Sequence, residues 1–167
     1  MGRQFIRQTV AAWFQPPSVA ALNTVYTAEP RYASGQDFFS AATAGSPSGA
    51  IAYPYVESQS ERRIALGGWK QIDYEVALVV RFASNQRRAE DAQDDHDAIV
   101  DAVIARFRAD RMLGTTIAQS PHVFQSSEGD LVDSPDLHVL SDLPKQSGQQ
   151  IVIWSVVRVH VIEMVQA

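Results

Sequence analysis

The chain has 167 residues, 46% of them hydrophobic and 20% charged, so it is large enough for one hydrophobic core and too apolar to stay disordered. Its formal net charge is −5, from 14 basic and 19 acidic residues, which disfavours tight wrapping of nucleic acid. Cysteine is absent, which excludes disulfides, thiolate zinc sites, iron–sulfur clusters and thiol nucleophiles.

The N-terminal part of the chain predicts a short helix and then a strand. Residues 3–14 carry apolar side chains at helical spacing, and Pro16 and Pro17 end that pattern. Residues 22–27 alternate and are rich in β-branched and aromatic side chains, which is typical of a short strand. No stretch approaches the roughly 20 apolar residues that a membrane-spanning helix needs, so we expect no contact with a membrane.

Residues 28–49 contain Pro30, Pro47 and several glycines among serines and alanines. This composition predicts a long loop at 28–49, and loops of that length inside a compact domain usually serve a function. Phe38 and Phe39 are its main apolar anchors. We therefore expect these two rings to lie at an interface, although a plain surface loop with one aromatic tether explains them as well.

A hairpin is predicted next, because two extended segments at 50–58 and 62–66 precede a long strand at 69–82. In that strand the even-numbered positions from Ile72 to Phe82 are apolar, while the opposite face begins with polar residues. A strand of this length exceeds the usual size, so we expect its Trp69 end to project beyond the body of the domain.

Residues 88–110 predict one long helix, because apolar side chains recur there at steps of three and four. Acidic residues crowd its first half and arginines its end, which matches the helix dipole. A short strand is expected within 117–125, a loop at 126–148 and a long strand at 150–165. The sequence thus predicts a single α+β domain over 1–167, with a mainly antiparallel twisted sheet packed on one long helix and a short N-terminal helix.

No catalytic or cofactor-binding residues are indicated, and we expect no metal site. The candidate metal site is the acidic cluster at the start of the long helix, but a calcium loop needs a glycine turn that is missing there. A solvated helix face explains these carboxylates better. The four histidines are not at ligand spacing, and no serine lies in a nucleophile-elbow motif. The cluster comprises Glu90, Asp91, Asp94, Asp95, His96, Asp97 and Asp101.

The predicted hairpin tip gathers Arg62, Arg63, Trp69 and Lys70. Tryptophan and arginine are enriched at the energetic centres of protein interfaces, so this tip is a candidate contact patch. An ordinary charged hairpin end with a partly buried tryptophan is the alternative interpretation.

The order of elements resembles the tail terminator proteins of long-tailed, siphovirus-like bacteriophages, which are related to tail-completion and head–tail connector proteins. The resemblance is carried by "ERRIALGGWKQIDYEVALVVRF", by the acidic helix "RRAEDAQDDHDAIVDAVIARFRADRMLG" and by the final strand "IVIWSVVRVHVIEMV". It is closest over residues 60–115 and looser elsewhere.

This resemblance implies a structural virion protein without catalytic residues. It would cap the tail tube as a homohexameric ring, end tail polymerisation and offer a surface for joining the tail to the head. Its partners would be other copies of itself, the tail tube protein and a head-completion or connector protein, with DNA passing through the ring without specific binding. It would be assembled in the bacterial host cytoplasm and would reside in the neck region of the virion tail.

Three other interpretations stay open at this point. A neck adaptor of the same virion would have a similar layout, a metal-dependent hydrolase would use the acidic cluster, and a regulatory or adaptor domain would be a monomer or dimer. Calorimetry with divalent ions and a measurement of the oligomeric state distinguish the last two from a ring.

Overall fold

A computed structural model describes residues 2–32, 35–64, 68–85, 88–110, 112–114, 122–123 and 137–166 of the chain. Among these residues, helices and strands follow one another in an α+β order that ends on a long strand. The helices are α1 (Arg3–Trp13), α2 (Gly35–Thr43) and α3 (Ala89–Ala109). The strands are β1 (Leu22–Val25), β2 (Ser48–Arg63), β3 (Trp69–Ser84), β4 (His122–Val123), β5 (Leu137–Ser141), β6 (Lys145–Ser147) and β7 (Gln150–Gln166).

The strands form one mixed sheet in which β1, β2, β3 and β7 are successive neighbours. β4, β5 and β6 each pair with the other edge of β7. β1 runs parallel to β2, and the other described pairs are antiparallel. The predicted α+β class is confirmed, with one parallel pair added at the edge of the sheet.

One side of the sheet, here called the helix face, packs against α1 and α3. The even-numbered residues of β3 from Ile72 to Ser84 and the odd-numbered residues of β7 from 151 to 161 lie buried on this face, as the alternation predicted. Phe14 and Phe107 join the two helices edge-to-face, with ring centroids 4.7 Å apart. The sheet therefore packs on two helices here, and the expectation of one long helix alone is incomplete.

The predicted loop at 28–49 contains a helix, so that prediction is wrong for residues 35–43. α2 packs its half-buried Phe38 and Phe39 on the side of the sheet opposite α1 and α3, against Ile51 and Ala83. The helix ends where Ala44 adopts a positive φ of 49°. The surrounding glycine, serine and proline residues obscured this short amphipathic segment in the sequence.

Three further sequence predictions are changed by the structure. The two extended segments at 50–58 and 62–66 are one strand, β2, up to residue 63, with a β-bulge between Val56 and Ser58. The predicted loop at 126–148 contains β5 and β6 in its described part. Of the strand expected within 117–125, only His122–Val123 lies among the described residues.

Gly49 makes the junction of α2, β1 and β2 possible. A Cβ atom at this position would collide with the Ala42 carbonyl oxygen and with the amide of Asn23. That amide donates a hydrogen bond to the same carbonyl oxygen and so ties β1 to α2. Only a residue without a side chain leaves this bond intact.

We therefore expect Gly49→Ala to lower the free energy of unfolding by about 1–3 kcal/mol, the usual cost of overpacking. Chemical denaturation measures this change. Gly2→Ala is the matched control, because a Cβ at Gly2 has nothing within 4 Å. A Gly49→Ala protein as stable as the wild type would show that the helix and strands shift apart easily.

Candidate functional site

The hairpin tip is formed as predicted, with Arg63 directly opposite Lys70 on the paired strands. Lys70 pairs with Glu61, and Arg62 lies 3.9 Å from Asp73, so both cations are partly neutralised across the strands. The Arg62 side chain is 67% exposed. The structure thus brings the four predicted tip residues together on the surface.

Although its length led us to expect a projecting Trp69 end, β3 is paired with β7 along its whole length and with β2 from Lys70 to Ser84. Its first residue, Trp69, lies opposite Gln166 of β7, and Lys70 lies opposite Arg63 of β2. On the helix face, the side chains of β3 stay buried toward the hairpin tip as far as Ile72, which is 7% exposed. Beyond Ile72 the side chains at the tip become more exposed, although Trp69 itself is half-buried.

Phe38 and Phe39 do not join this tip. Both lie on α2 at the other end of the sheet, where they pack against a small buried cluster. Phe38 also meets the ring of Tyr32 edge-to-face, with centroids 5.7 Å apart. Their apolar surface is thus largely used within the domain, which makes them weaker interface candidates than the sequence predicted.

Several exposed apolar side chains lie on the side of the sheet that α2 leaves uncovered. We call this surface the open face and define it by Tyr55, Val79, Leu140, Trp154 and Val156. Tyr55 is 57%, Leu140 44% and Trp154 41% exposed. Val79 lies opposite Val156, which lies opposite Leu140, so the row continues across three strands. Contiguous exposed apolar surface of this kind marks interaction sites.

Sequence reasoning missed the open face, although a signal for it exists. The second face of β3 begins with polar residues but becomes apolar at Ala77 and Val79. The second face of β7 carries Trp154 and Val156. A strand that is apolar on both faces indicates a sheet covered on both sides, by its own chain or by a partner.

A buried arginine anchors one end of the open face. Arg81 is 9% exposed and lies under the indole of Trp154, with the guanidinium carbon 4.0 Å from the ring centroid. It donates hydrogen bonds to the Tyr53 hydroxyl at 2.8 Å and to the carboxylate of Glu29. Burial raises the pKa of Tyr53 above its usual value. The arginine thus holds the exposed indole in place.

An ion pair borders the open face on the side of the arm, by which we mean the paired residues 58–63, 69–75 and 160–166 that lead to the hairpin tip. Arg158 contacts both carboxylate oxygens of Glu57 through three hydrogen bonds of 2.8–3.1 Å. The hydrogen bonds to Glu57 raise the pKa of Arg158. Because both charges are matched, the open face presents apolar and aromatic groups between neutralised pairs, which suits a protein partner better than a polyanion.

Carboxylate, imidazole and hydroxyl groups line up between α3 and β7. Asp97 Oδ1 lies 3.0 Å from His96 Nδ1, Ser155 Oγ lies 2.8 Å from His96 Nε2, and Ser141 Oγ lies 2.6 Å from Ser155 Oγ. This is the order of groups in a hydrolytic triad. Ser155 is fully buried, however, so a substrate carbonyl cannot reach its oxygen. The chain of bonds fastens α3 to the sheet.

The acidic cluster at the start of α3 is a surface feature over most of its length. Glu90, Asp91, Asp94 and Asp101 are exposed, while Asp95 accepts a 2.8 Å hydrogen bond from Ser48. Among the residues that the structure describes, no three histidine or acidic side chains converge on a possible metal position. In the same residues, no helix is both long and apolar enough to cross a bilayer.

No family model matches the sequence, and no curated protein is significantly similar to it. Function therefore has to be inferred from the surfaces described above. The exposed apolar groups on the open sheet can bind a partner, and the Ser155 hydroxyl is buried.

A second buried polar pair lies at the base of the arm. Tyr74, which is 1% exposed, donates a 2.9 Å hydrogen bond to the fully buried Glu163. Burial and this bond raise the pKa of Tyr74 above its usual value. The neutral hydroxyl is therefore the form that the folded protein stabilises.

This pair predicts a loss of stability at alkaline pH. Tyrosine in the unfolded chain ionises near pH 10, whereas folded Tyr74 keeps its proton, so the free energy of unfolding falls as pH rises above about 10. The slope from this one group is up to about 1.4 kcal/mol per pH unit. Urea denaturation between pH 8 and 11 measures it. Tyr74→Phe should show a shallower decline than the wild type, and identical slopes would contradict the assignment.

Proposed function

We propose that this chain is a structural virion protein that caps the tail tube of a long-tailed bacteriophage as a hexameric ring. In that role it ends tail polymerisation and offers the surface to which the head is joined. The observation that carries the proposal is the open face, an apolar row across three strands beside an exposed arm tip. The order of elements, which resembles tail terminator proteins, supports it.

The exposed surfaces lie at two separate places on the subunit, which suits a protein that assembles into a ring. The open face and the arm tip lie on the same long sheet, so one subunit can contact two neighbours at once. A subunit with two different contact surfaces forms a closed ring when the rotation between copies closes. Standard protein interfaces need a well-packed apolar centre, which Tyr55 and Trp154 provide.

The charge of the chain fits a ring through which DNA passes. With a net charge of −5, a ring of several copies is strongly acidic, and its lumen repels the DNA backbone more than it binds it. Passage without specific binding is what a tail channel needs. The proposal assigns no catalytic step to any residue and needs no cofactor.

The proposal is tested with the purified chain and the tail tube protein from the same genome. Sedimentation velocity and electron microscopy should detect rings, alone or on tube ends. Tube protein that polymerises with the chain present should stop at a limited length. Rings that bind the head connector but not the tube would replace the proposal by a neck adaptor. A monomer that binds neither, and does not limit tube length, would contradict it.

The arm tip gives a sharper prediction for assembly. Trp69→Ala with Arg62→Glu removes an interface-type aromatic anchor and reverses an exposed charge, a loss that commonly costs about 2 kcal/mol or more of binding. We expect a folded monomer by circular dichroism, while ring formation or tube capping fails and tubes grow abnormally long.

A matched control comes from the opposite end of the sheet. Leu143→Ala with Lys145→Glu makes the same types of change at exposed positions, since Leu143 is 84% exposed. This control should assemble and cap normally. Normal capping by the Trp69→Ala, Arg62→Glu protein would show that the tip is only a solvated hairpin end and that the contacts lie on the open face.

A further inference from the structure

A basic cavity lies at the outer edge of the sheet, between α1 and β2. It has a volume of about 310 Å³ and is lined by Arg3, Arg7, Tyr55 and Val56. Arg3 and Arg7 are one helical turn apart, so their guanidinium groups lie on the same side of α1. No local sequence pattern marks either arginine as a binding residue.

Among the described residues, both arginines bond to backbone oxygens and not to carboxylates. Arg3 donates to the backbone oxygens of Val56 and Glu57, and Arg7 donates to that of Thr27 at 3.2 Å. Neither forms a salt bridge with a residue that the structure describes. Each guanidinium has five donors, so most of them remain available to an anion.

The nearby carboxylate cannot neutralise this cavity. Glu57 follows the lining residue Val56, but both of its side-chain oxygens are held by Arg158. The cavity also cannot accept an added β-strand along this edge. Pro54 offers no N–H group there, and the Val56 carbonyl is already taken by Arg3. An occupant must therefore bind through its side chains.

Unmatched negative charge of similar spacing lies on α3. Glu90, Asp91, Asp94 and Asp101 are exposed and form no salt bridge within the described part of the chain. Asp91 and Asp94 are three residues apart, which places their carboxylates next to each other on the helix surface. Two neighbouring carboxylates match two neighbouring guanidinium groups.

A single copy cannot bring these two groups of charges together. The start of α3 is fixed near Ser48 by the Asp95 hydrogen bond, whereas the cavity lies at Val56 of the same strand. Eight residues of strand separate Ser48 from Val56, which is about 26 Å at 3.3 Å per residue. Pairing of these charges therefore requires a second molecule.

We infer that the cavity of Arg3 and Arg7 receives the acidic first turns of α3 from a second copy of this chain, with Tyr55 packing beside the contact. The contact joins two different surfaces, so it repeats from copy to copy and builds a ring or a filament. This inference rests on the proposed function, because it supplies one of the contacts from which the ring is assembled.

Charge exchange tests the inference. Arg3→Glu with Arg7→Glu, and separately Asp91→Arg with Asp94→Arg, should each weaken self-association of the full chain at least about tenfold, as measured by analytical ultracentrifugation. The protein with all four changes should regain it, because the same pairs form with their signs reversed. Increasing salt should weaken the wild-type assembly.

The matched control is Arg31→Glu with Lys145→Glu, which makes the same change in net charge at exposed positions outside the cavity and should assemble like the wild type. Circular dichroism and thermal unfolding establish that each protein is folded. If the Arg3 and Arg7 changes perturb folding, the Asp91 and Asp94 protein still decides the point, because those side chains are exposed and make no described contact.

The possible results separate this inference from the proposed function. A wild-type chain that stays monomeric and does not cap tubes overturns both. Wild-type rings with undiminished assembly of both double variants overturn only the contact. The contact is also overturned if both double variants lose assembly and the protein with all four changes does not regain it. Directly paired charges would restore assembly when both signs are reversed.

Discussion

The whole domain depends on the complete pairing of β3. All of its 16 residues lie opposite a β7 residue, and β2 pairs with it from Lys70 to Ser84. Its backbone hydrogen-bonding groups are satisfied within the sheet, so it can be buried on both faces in its central part. β2 and β7 must match its length, and this sets a sheet about 50 Å long at 3.3 Å per residue.

The length of this sheet explains where the exposed apolar surface lies. α1 and α3 together cover the helix face, while the nine residues of α2 cover only one end of the other side. A helix of nine residues is about 14 Å long, so most of that side has no helix over it. The open face is thus a direct result of a sheet longer than its covering helix.

The sequence predicted the parts of the fold that have a strong and long period. α1, α3, β3 and β7 follow from repeated apolar spacing, because each buries one regular stripe. α2 could not be predicted in the same way, since it is short and is bordered by glycine, serine and proline that favour loops. Its helix exists because Phe38 and Phe39 find a partner surface on β2 and β3, which is a tertiary effect.

The candidate site was predictable only where its residues lie close together in the sequence. The arm tip follows from two charged strand ends that only five residues, 64–68, separate in the sequence, so its four residues are close in the sequence as well as in space. The open face and the basic cavity combine residues up to 101 positions apart, and their closeness depends on strand register. The register includes the β-bulge between Val56 and Ser58, which no local sequence pattern predicts.

That bulge in β2 determines which residues of the arm share a face. Before it, the odd-numbered Tyr53 and Tyr55 lie on the side of the open face. After it, even-numbered residues such as Ser58 do, because Ser58 bonds to Glu75 there. Because the pairing with β3 continues without a gap on both sides of the bulge, a single-codon deletion at Glu57 would restore a regular ladder and leave Arg62 and Arg63 on their present faces. The extra residue thus supplies the carboxylate that binds Arg158 without altering which side chains the tip presents on each face.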